Sequence, residues 1–430
     1  MRILYLHQHF SLPAGATATR AFAMARALAI RGHAVTLACG RYAGATTGLE
    51  ALPFRRGRRT GRVAGLDLVE FAIPCGNAQG LAARAGAFLR FAAAVAPLAL
   101  RRSWDVVVAS STPLTVALPA LLARRLRGTP FVFEIRDPWP ELPRAMGGVP
   151  RPLLAAMEPL ATAACRRAAA VVALSEGMAE TAIARGADPE QVAVVPNGCD
   201  LDLFGPQVAP WRPPEAASWE VLAVYAGAHG RANGLHQLLD AAAWLKGRGV
   251  RSVRLVLVGE GAEKPALTAR AAREGLDNVT FLDPLPKPRL AALLAGSQIG
   301  VQCLAPVPEF AEWTAPNKLM DYLAAGLPVV SNLPGRAARL LDGDGTTFAP
   351  CGISVPPGGD GAALGRALAA LAADPARRRR LGEAARAQAV LRWDRRLLAE
   401  RFCSVVEAAA ARSRDAVGAA ATVPQPGRAG

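Results

Sequence analysis

Short apolar runs alternate with amphipathic stretches along most of the chain. The run ILYLH (3–7) ends in a polar turn, HFSLPAGATA. A helical pattern follows from Arg20 to Arg31, and RGH then leads into a second apolar run, AVTLA. Wholly apolar runs of about five residues, spaced by helices, are what strands buried on both faces of a parallel sheet require. The unit recurs as DVVVAS, a helix over 114–127 and PFVFEI, then as AVVALS, a helix to Ala184 and VAVVP. It restarts with VLAVYAG, a helix over 235–246, VRLVLVG, a helix over 264–274, VTFLD and IGVQCL. The pattern predicts two successive doubly wound α/β domains with parallel sheets.

Prolines and small residues crowd 205–219, marking the junction. The expected domains are 1–205 and 206–390, followed by a helix through 391–412. From Ser413 to Gly430 no apolar period remains, so a disordered tail is expected there. A chain of 430 residues, 52% hydrophobic and 20% charged, can fill two cores of this size.

The net charge of +16 changes the picture less than its size suggests. Lysine occurs only at 246, 264, 287 and 318, so the excess is arginine, and with the high Ala, Gly and Pro content it reads as GC-rich coding. No zinc finger, aromatic RNA-binding string or basic zipper accompanies it, which excludes nucleic acid as the expected partner. An anionic membrane surface or a phosphorylated ligand suits the charge better. The cluster Arg55, Arg56, Arg58, Arg59, Arg62 reads as a solvated loop or a lipid-facing patch. The stretch 81–102 is apolar but broken by Arg84 and Arg90, so it reads as a helix packed on its domain or lying against lipid, too short and charged to span. Met1 leads straight into a strand with no signal-peptide pattern, and no uninterrupted apolar run reaches the ~18 residues of a membrane span. A cytoplasmic protein, peripheral at most on the inner face of the plasma membrane, is expected. The seven cysteines are scattered, without CxxC or zinc spacing, and are expected to be reduced and buried.

Ligands of open α/β sheets bind beyond the carboxyl ends of the strands, where helix N-termini favour anions. Four turns fit. PAGATATR carries Gly15. YAGAHGRANG (225–234) carries Gly227, His229, Gly230, Arg231 and Asn233, a candidate anion cradle. VGEGAEK carries Gly259 and Lys264; it is half a dinucleotide fingerprint with lysine in the third glycine's place, which disfavours a nicotinamide enzyme and suits a nucleotide phosphate. EFAEWTAPNKLMDYLAAGLPVV (309–330) is the strongest. Pro316 opens a helix whose first turn holds Asn317, Lys318 and Leu319, with Asp321 on nearly the same face as Lys318. Lysine there supplies a point charge for a diphosphate, and the carboxylate can accept both ribose hydroxyls. No Asp, His or Cys cluster suits a divalent ion, so neither metal nor cofactor is expected.

PNKLMDYLAAGLPVVS, with VVPNGCDLDLF (194–204), VVALSEGMAET (171–181) and ALAIRGHAVTL (27–37), resembles the family 4 retaining glycosyltransferases of GT-B fold. FEIRDPWPELP (133–143) resembles the branch containing N-acetyl-L-fucosamine transferases of O-antigen and capsule assembly. The resemblance implies two Rossmann-like domains facing a cleft, with a nucleotide diphosphate sugar (UDP-linked) in the C-terminal domain and the acceptor, a polyprenyl-diphosphate-linked saccharide, in the N-terminal one. It also implies a last helix that crosses back to the first domain. On this view Asp321 is the second carboxylate of an E-x7-E motif and grips the ribose. Trp313 stands where the first carboxylate would be, with Glu312 beside it. The Arg/Lys pair that binds diphosphate aligns with Ala228 and Asn233, so Lys318, Lys264 or Arg231 has to supply the charge. Arg136 stands in place of an acceptor-side histidine: it clamps phosphate while Asp137 orients the acceptor, or the two form a buried structural pair. These departures leave room for a GT-B protein that binds without turnover, and for a UDP-sugar epimerase.

Overall fold

The apolar runs pair as parallel strands. The computed structural model describes residues 1–421 except 16, 18, 77, 78, 102, 103, 314, 315, 359 and 360, and the side chains of all of these but 337 and 413–421. In the N-terminal domain β1 (Arg2–Leu6), β2 (Ala34–Tyr42), β3 (Arg58–Val63), β4 (Leu66–Cys75), β5 (Val106–Ser110), β6 (Phe131–Ile135), β7 (Ala170–Ala173) and β8 (Val192–Val194) form one sheet of order β3-β4-β2-β1-β5-β6-β7-β8. In the C-terminal domain β9 (Val221–Ala226), β10 (Val253–Val258), β11 (Val279–Leu282), β12 (Ile299–Gln302), β13 (Val329–Ser331) and β14 (Gly352–Ser354) form a second, of order β11-β10-β9-β12-β13-β14. Strand β1 shows why its run is apolar throughout. Ile3 and Tyr5 enter one core with Met24 and Phe402, while Leu4 and Leu6 enter the other with Phe88 and Phe91. Side chains of period two meet helices on both faces.

The arginine cluster is not simply a loop. Arg58, Arg59 and Arg62 lie on β3, an edge strand antiparallel to β4, and Arg55 and Arg56 lie just before it. Arg59 is half-buried against Glu70 at 2.8 Å with its guanidinium over Phe54, while Arg55, Arg56, Arg58 and Arg62 are exposed. Edge strands tolerate charge because one side of their ladder faces water.

The helix Leu81–Ala99 is long and apolar enough, by length and composition, to cross a membrane. Its inner face, Phe88, Phe91, Val95 and Leu98, fills the N-terminal core, and Leu81 and Leu89 stay exposed. All seven cysteines are buried and free.

The last helix, Arg395–Ala421, lies on the N-terminal domain, with Leu398, Phe402, Val406 and Ala410 packed into the core that holds Ile3 and Tyr5. The chain returns past the PNG turn. There Cys199 N donates to Trp393 O (2.8 Å) and Arg395 N donates to Cys199 O (3.0 Å), and a Cβ on Gly198 would stand 2.8 Å from Trp393 O. The helix runs beyond Arg412 to Ala421, where an irregular tail was expected. Extending an existing helix through alanines needs no new nucleus and no packed face. Residues 422–430 of the expected tail lie outside the described residues.

Candidate active site

Two glycine turns at the ends of β9 and β10 touch through their backbones. Gly227 N donates to Val258 O, and a Cβ on Gly259 (φ +144°) would stand 1.9 Å from Gly227 O. Only glycine closes that contact. Over Gly227 runs the side chain of Lys318, whose Cε lies 2.6 Å from where a Cβ would be. Lys318 starts from the first turn of the helix Asn317–Ala324, which Pro316 caps. Its Nζ donates to Asn233 Oδ1 at 3.2 Å and lies 5.0 Å from the Tyr225 ring centre. Burial lowers its pKa to about 8, and no carboxylate opposes that shift. Gly230, in the same loop, has no atom near its Cβ direction. A lone, crowded ammonium beside free helix amides is an anion-binding arrangement.

Of the other candidate cations of the turns, one is already paired. Lys264 pairs with Glu260 (2.9 Å) and Asp283 (2.7 Å). Arg231 is exposed and reaches towards Gly148 of the N-terminal domain, 4.0 Å from a Cβ there. His229 is not part of an open cradle. It is fully buried between the rings of Tyr225 and Phe281, neither ring nitrogen has a partner, and burial followed by the Lys264 charge lowers its pKa to about 4. A neutral imidazole there packs against the touching turns. Leu319 belongs to the core of the domain, so only its backbone N–H is available to a ligand.

Asp321 is 4% exposed and makes an ion pair with Lys287 at 2.5 Å. Lys287 opens the helix Lys287–Ala295 after β11 and stacks over Phe204. Glu312 and Trp313 lie on the short helix Phe310–Trp313. Glu312 pairs with Arg336 (2.6 Å), and Arg336 also reaches Glu176 and Glu180 on the N-terminal helix Glu176–Ala184. Ser175 Oγ donates to Glu312 O at 2.9 Å, and a Cβ on Gly177 would stand 2.5 Å from that oxygen. The segment expected at the donor sugar is thus held by the opposite domain. Trp313 is half-buried.

In the N-terminal domain Arg136 and Asp137 follow β6. Arg136 Nη1 lies 2.6 Å from His7 Nε2, and its backbone N donates to Ser111 Oγ at 3.1 Å. Arginine can only donate, so His7 Nε2 accepts and its Nδ1–H donates to Ser110 O at 3.2 Å. His7 is neutral: burial, then Arg136 and His9, lower its pKa well below the usual value. Thr112 Oγ1 donates to Asp137 Oδ2 at 2.7 Å. Arg136 and Asp137 therefore do not pair with each other. The buried pair of this region is Arg20–Glu134 (2.9 Å), which also ties down the carbonyls of Val195 and Pro196. Gly15 is closed in on its own domain, 2.2 Å from Ser11 Oγ measured at its Cβ position.

Residues 15–198 match the family described as Glycosyl transferase 4-like domain, and residues 220–374 match Glycosyl transferases group 1. Each half of the chain thus matches a glycosyltransferase domain family. The whole has the GT-B fold: sucrose-phosphate synthase from Thermosynechococcus elongatus superposes with a TM-score of 0.72 at 17% identity, over 97% of this chain and 99% of that one. The Anabaena protein HepE in complex with UDP-glucose superposes with a TM-score of 0.65 at 20% identity, over 95% and 99%. A curated relative, D-inositol 3-phosphate glycosyltransferase from Kribbella flavida, is 33% identical over 212 residues, which is 46% of this chain and 47% of the relative. The chain thus aligns with about half the length of that relative.

Gly227, Gly259 and Lys318 come together, with Gly230 in the same loop and Asn317 beside Lys318, and Arg136 and Asp137 share the opposite sheet end. Lys287, Arg336 and His7 were not foreseen. Lys287 reads locally as a helix opening, Arg336 as one of many surface arginines, and His7 as the end of a buried strand.

Proposed function

We propose that this chain is a retaining glycosyltransferase that moves a hexose or N-acetylhexosamine-type sugar from a UDP-linked donor to a polyprenyl-diphosphate-linked saccharide, in cell-surface polysaccharide assembly. One observation carries the donor half: the Lys318 ammonium stands beside Asn233, the position that aligns with a diphosphate-binding lysine, and so supplies the charge the turn lacks. The UDP-glucose complex of HepE, a structural neighbour, supports the choice of donor. Lys318 and the first-turn amides stabilise the leaving diphosphate. The acceptor hydroxyl oxygen bonds to the sugar C1, the bond from C1 to the β-phosphate oxygen breaks, and that oxygen takes the hydroxyl proton. Asp137, fixed by Thr112, orients the acceptor. No metal is assigned a step. Exposed Leu89 on one helix and Leu118, Leu122 and Leu126 on its neighbour, set among arginines, suit peripheral contact with an anionic membrane on the cytoplasmic face.

A binding protein without turnover is the second reading, favoured by Trp313 in the first carboxylate's place and by the capture of Glu312 by Arg336. Incubating the purified chain with UDP-sugars and a prenyl-diphosphate-linked saccharide decides between them. The proposal expects UDP release with the donor's anomeric configuration kept in the product by NMR. UDP binding with no release supports the second reading, conversion of donor without acceptor marks an epimerase, and an inverted product overturns retention.

A further inference from the structure

Beyond the residues expected to serve the acceptor, the N-terminal sheet end carries a second set of groups. His9, just after β1, stacks on Tyr42 at the end of β2, with ring centres 4.4 Å apart. Phe88 lies 6.1 Å from His9 and 6.4 Å from Trp139, and Cys75 Sγ, at the end of β4, lies 3.8 Å from His9 Nε2. Arg84 reaches over Phe88, its guanidinium carbon 5.8 Å from the ring centre, and its Nε is buried without a partner. Arg84 and Arg136 both bear electrostatically on His9 and on Tyr42. Burial first, then the two arginines, lowers the His9 pKa to about 3, so the ring is neutral and adds no charge.

The two arginines lack direct ion pairs: among the described residues no carboxylate lies within ion-pair distance of Arg84 or Arg136, although Arg20, Arg59, Arg185, Arg254, Arg270, Arg336 and Arg395 each have one. Glu134, which feels Arg136 electrostatically, is paired with Arg20, and Asp137 accepts from Thr112. Two unpaired guanidiniums around a neutral aromatic stack are complementary to an anion attached to a flat or ring-shaped body.

We propose that Arg84 and Arg136 form an anion subsite that holds a phosphoryl group of the acceptor, with its sugar ring against His9, Tyr42 and Trp139. The subsite rests on the reading of the N-terminal domain as the acceptor half. It makes the enzyme select acceptors whose phosphate lies close to the sugar being extended. His7 is a positioning residue in it: its Nε2 accepts from Arg136 and aims the guanidinium.

Calorimetry on the full chain tests this. UDP is titrated first, and the UDP-saturated chain is then titrated with glucose 6-phosphate, with geranyl diphosphate and with glucose. Binding of at least one phosphate is expected, weakened ~10-fold or more by Arg84→Gln and by Arg136→Gln, as loss of a charge-assisted hydrogen bond implies. Arg84→Lys and Arg136→Lys should restore part of it, and unchanged UDP affinity shows that each variant is folded. Glucose 6-phosphate alone binding assigns the phosphate to a free sugar ester, and geranyl diphosphate alone assigns it to a lipid carrier. The proposal is overturned if neither phosphate binds, if glucose binds as well as its phosphate, or if both Gln variants bind within about twofold of the parent. Absence of UDP binding sinks the donor reading instead, and the phosphate titrations, repeated on Lys318→Met, still decide this one.

Discussion

Lys318→Met should make the protein more stable and a poorer binder at once. Burial takes the ammonium's pKa from 10.5 to about 8, so keeping it charged at pH 7 costs about 3 kcal/mol. Methionine removes that cost but leaves Asn233 Oδ1 without its donor, a loss of about 1 kcal/mol. The C-terminal domain should therefore gain about 1–3 kcal/mol in urea unfolding without ligand. The folded state holds the proton less tightly than the unfolded chain, so the parent's stability climbs between pH 8 and 10.5. The variant's advantage should shrink by about 1 kcal/mol from pH 7 to pH 9. Binding moves the other way. Loss of a charge-assisted bond to diphosphate costs roughly 1.5–3 kcal/mol, about 10- to 150-fold in Kd. In the parent, UDP-sugar affinity should fall ~10-fold from pH 7 to 9, as the protonated fraction falls from about nine-tenths to one-tenth. Tyr225 is held well above 10 and Cys303 near 12, so neither neighbour titrates in that window. The diphosphate of a UDP-sugar has no proton to lose there, and the uracil N3–H stays mostly protonated at pH 9, so its effect is far smaller than the ~10-fold change expected of Lys318. Calorimetry of UDP-glucose or another UDP-sugar at the two pH values reads this directly. A variant no more stable than the parent that binds donor equally well at both would refute the assignment.

Lys287→Met should destabilise the C-terminal domain by about 3–5 kcal/mol, because it strands a buried Asp321; Lys287→Met/Asp321→Leu should recover most of that in urea unfolding, and additive losses would show the pair is not coupled. Gly177→Ala should leave the N-terminal domain as stable or slightly more so, since alanine favours a helix, yet push away Glu312 O; small-angle scattering should show a more open chain, and an unchanged profile with full turnover rejects the contact. Activity in excess EDTA should stay within about twofold of the control, and abolition by EDTA with rescue by magnesium or manganese would exclude a metal-free mechanism.

The strands buried on both faces were legible because burial on both sides demands unbroken apolar runs, as in ILYL and VRLVLV. The β3–β4 hairpin was not, since an edge strand admits RRTGRV, which reads as loop. At the site, the glycine turns and the PNK helix start stood out as local patterns. Which cation served the diphosphate did not. Lys318, Lys264 and Arg231 are equivalent on paper, and only long-range neighbours separate them: Asp283 neutralises Lys264, while Asn233 receives Lys318. The same limit hid Arg336, two of whose partners, Glu176 and Glu180, lie more than a hundred residues away. Glu312 stood out by proximity to the motif, but its carboxylate is spent across the domain boundary.

Because the helix from Arg395 lies on the first domain, the second domain is in topological terms an insert within the first. A ribosome that has delivered residues 1–205 has not delivered Phe402, Val406 or Ala410, so one side of the helix Arg20–Ile30 and the adjoining face of β5, β6 and β7 stay uncovered while the whole second domain is made. The N-terminal half is thus vulnerable to self-association during synthesis, and its completion waits on the last helix to leave the exit tunnel. A gene cut at the domain junction yields an N-terminal fragment lacking one wall of its core, whereas a fragment pair cut near residue 394, with the helix supplied in trans, retains every wall.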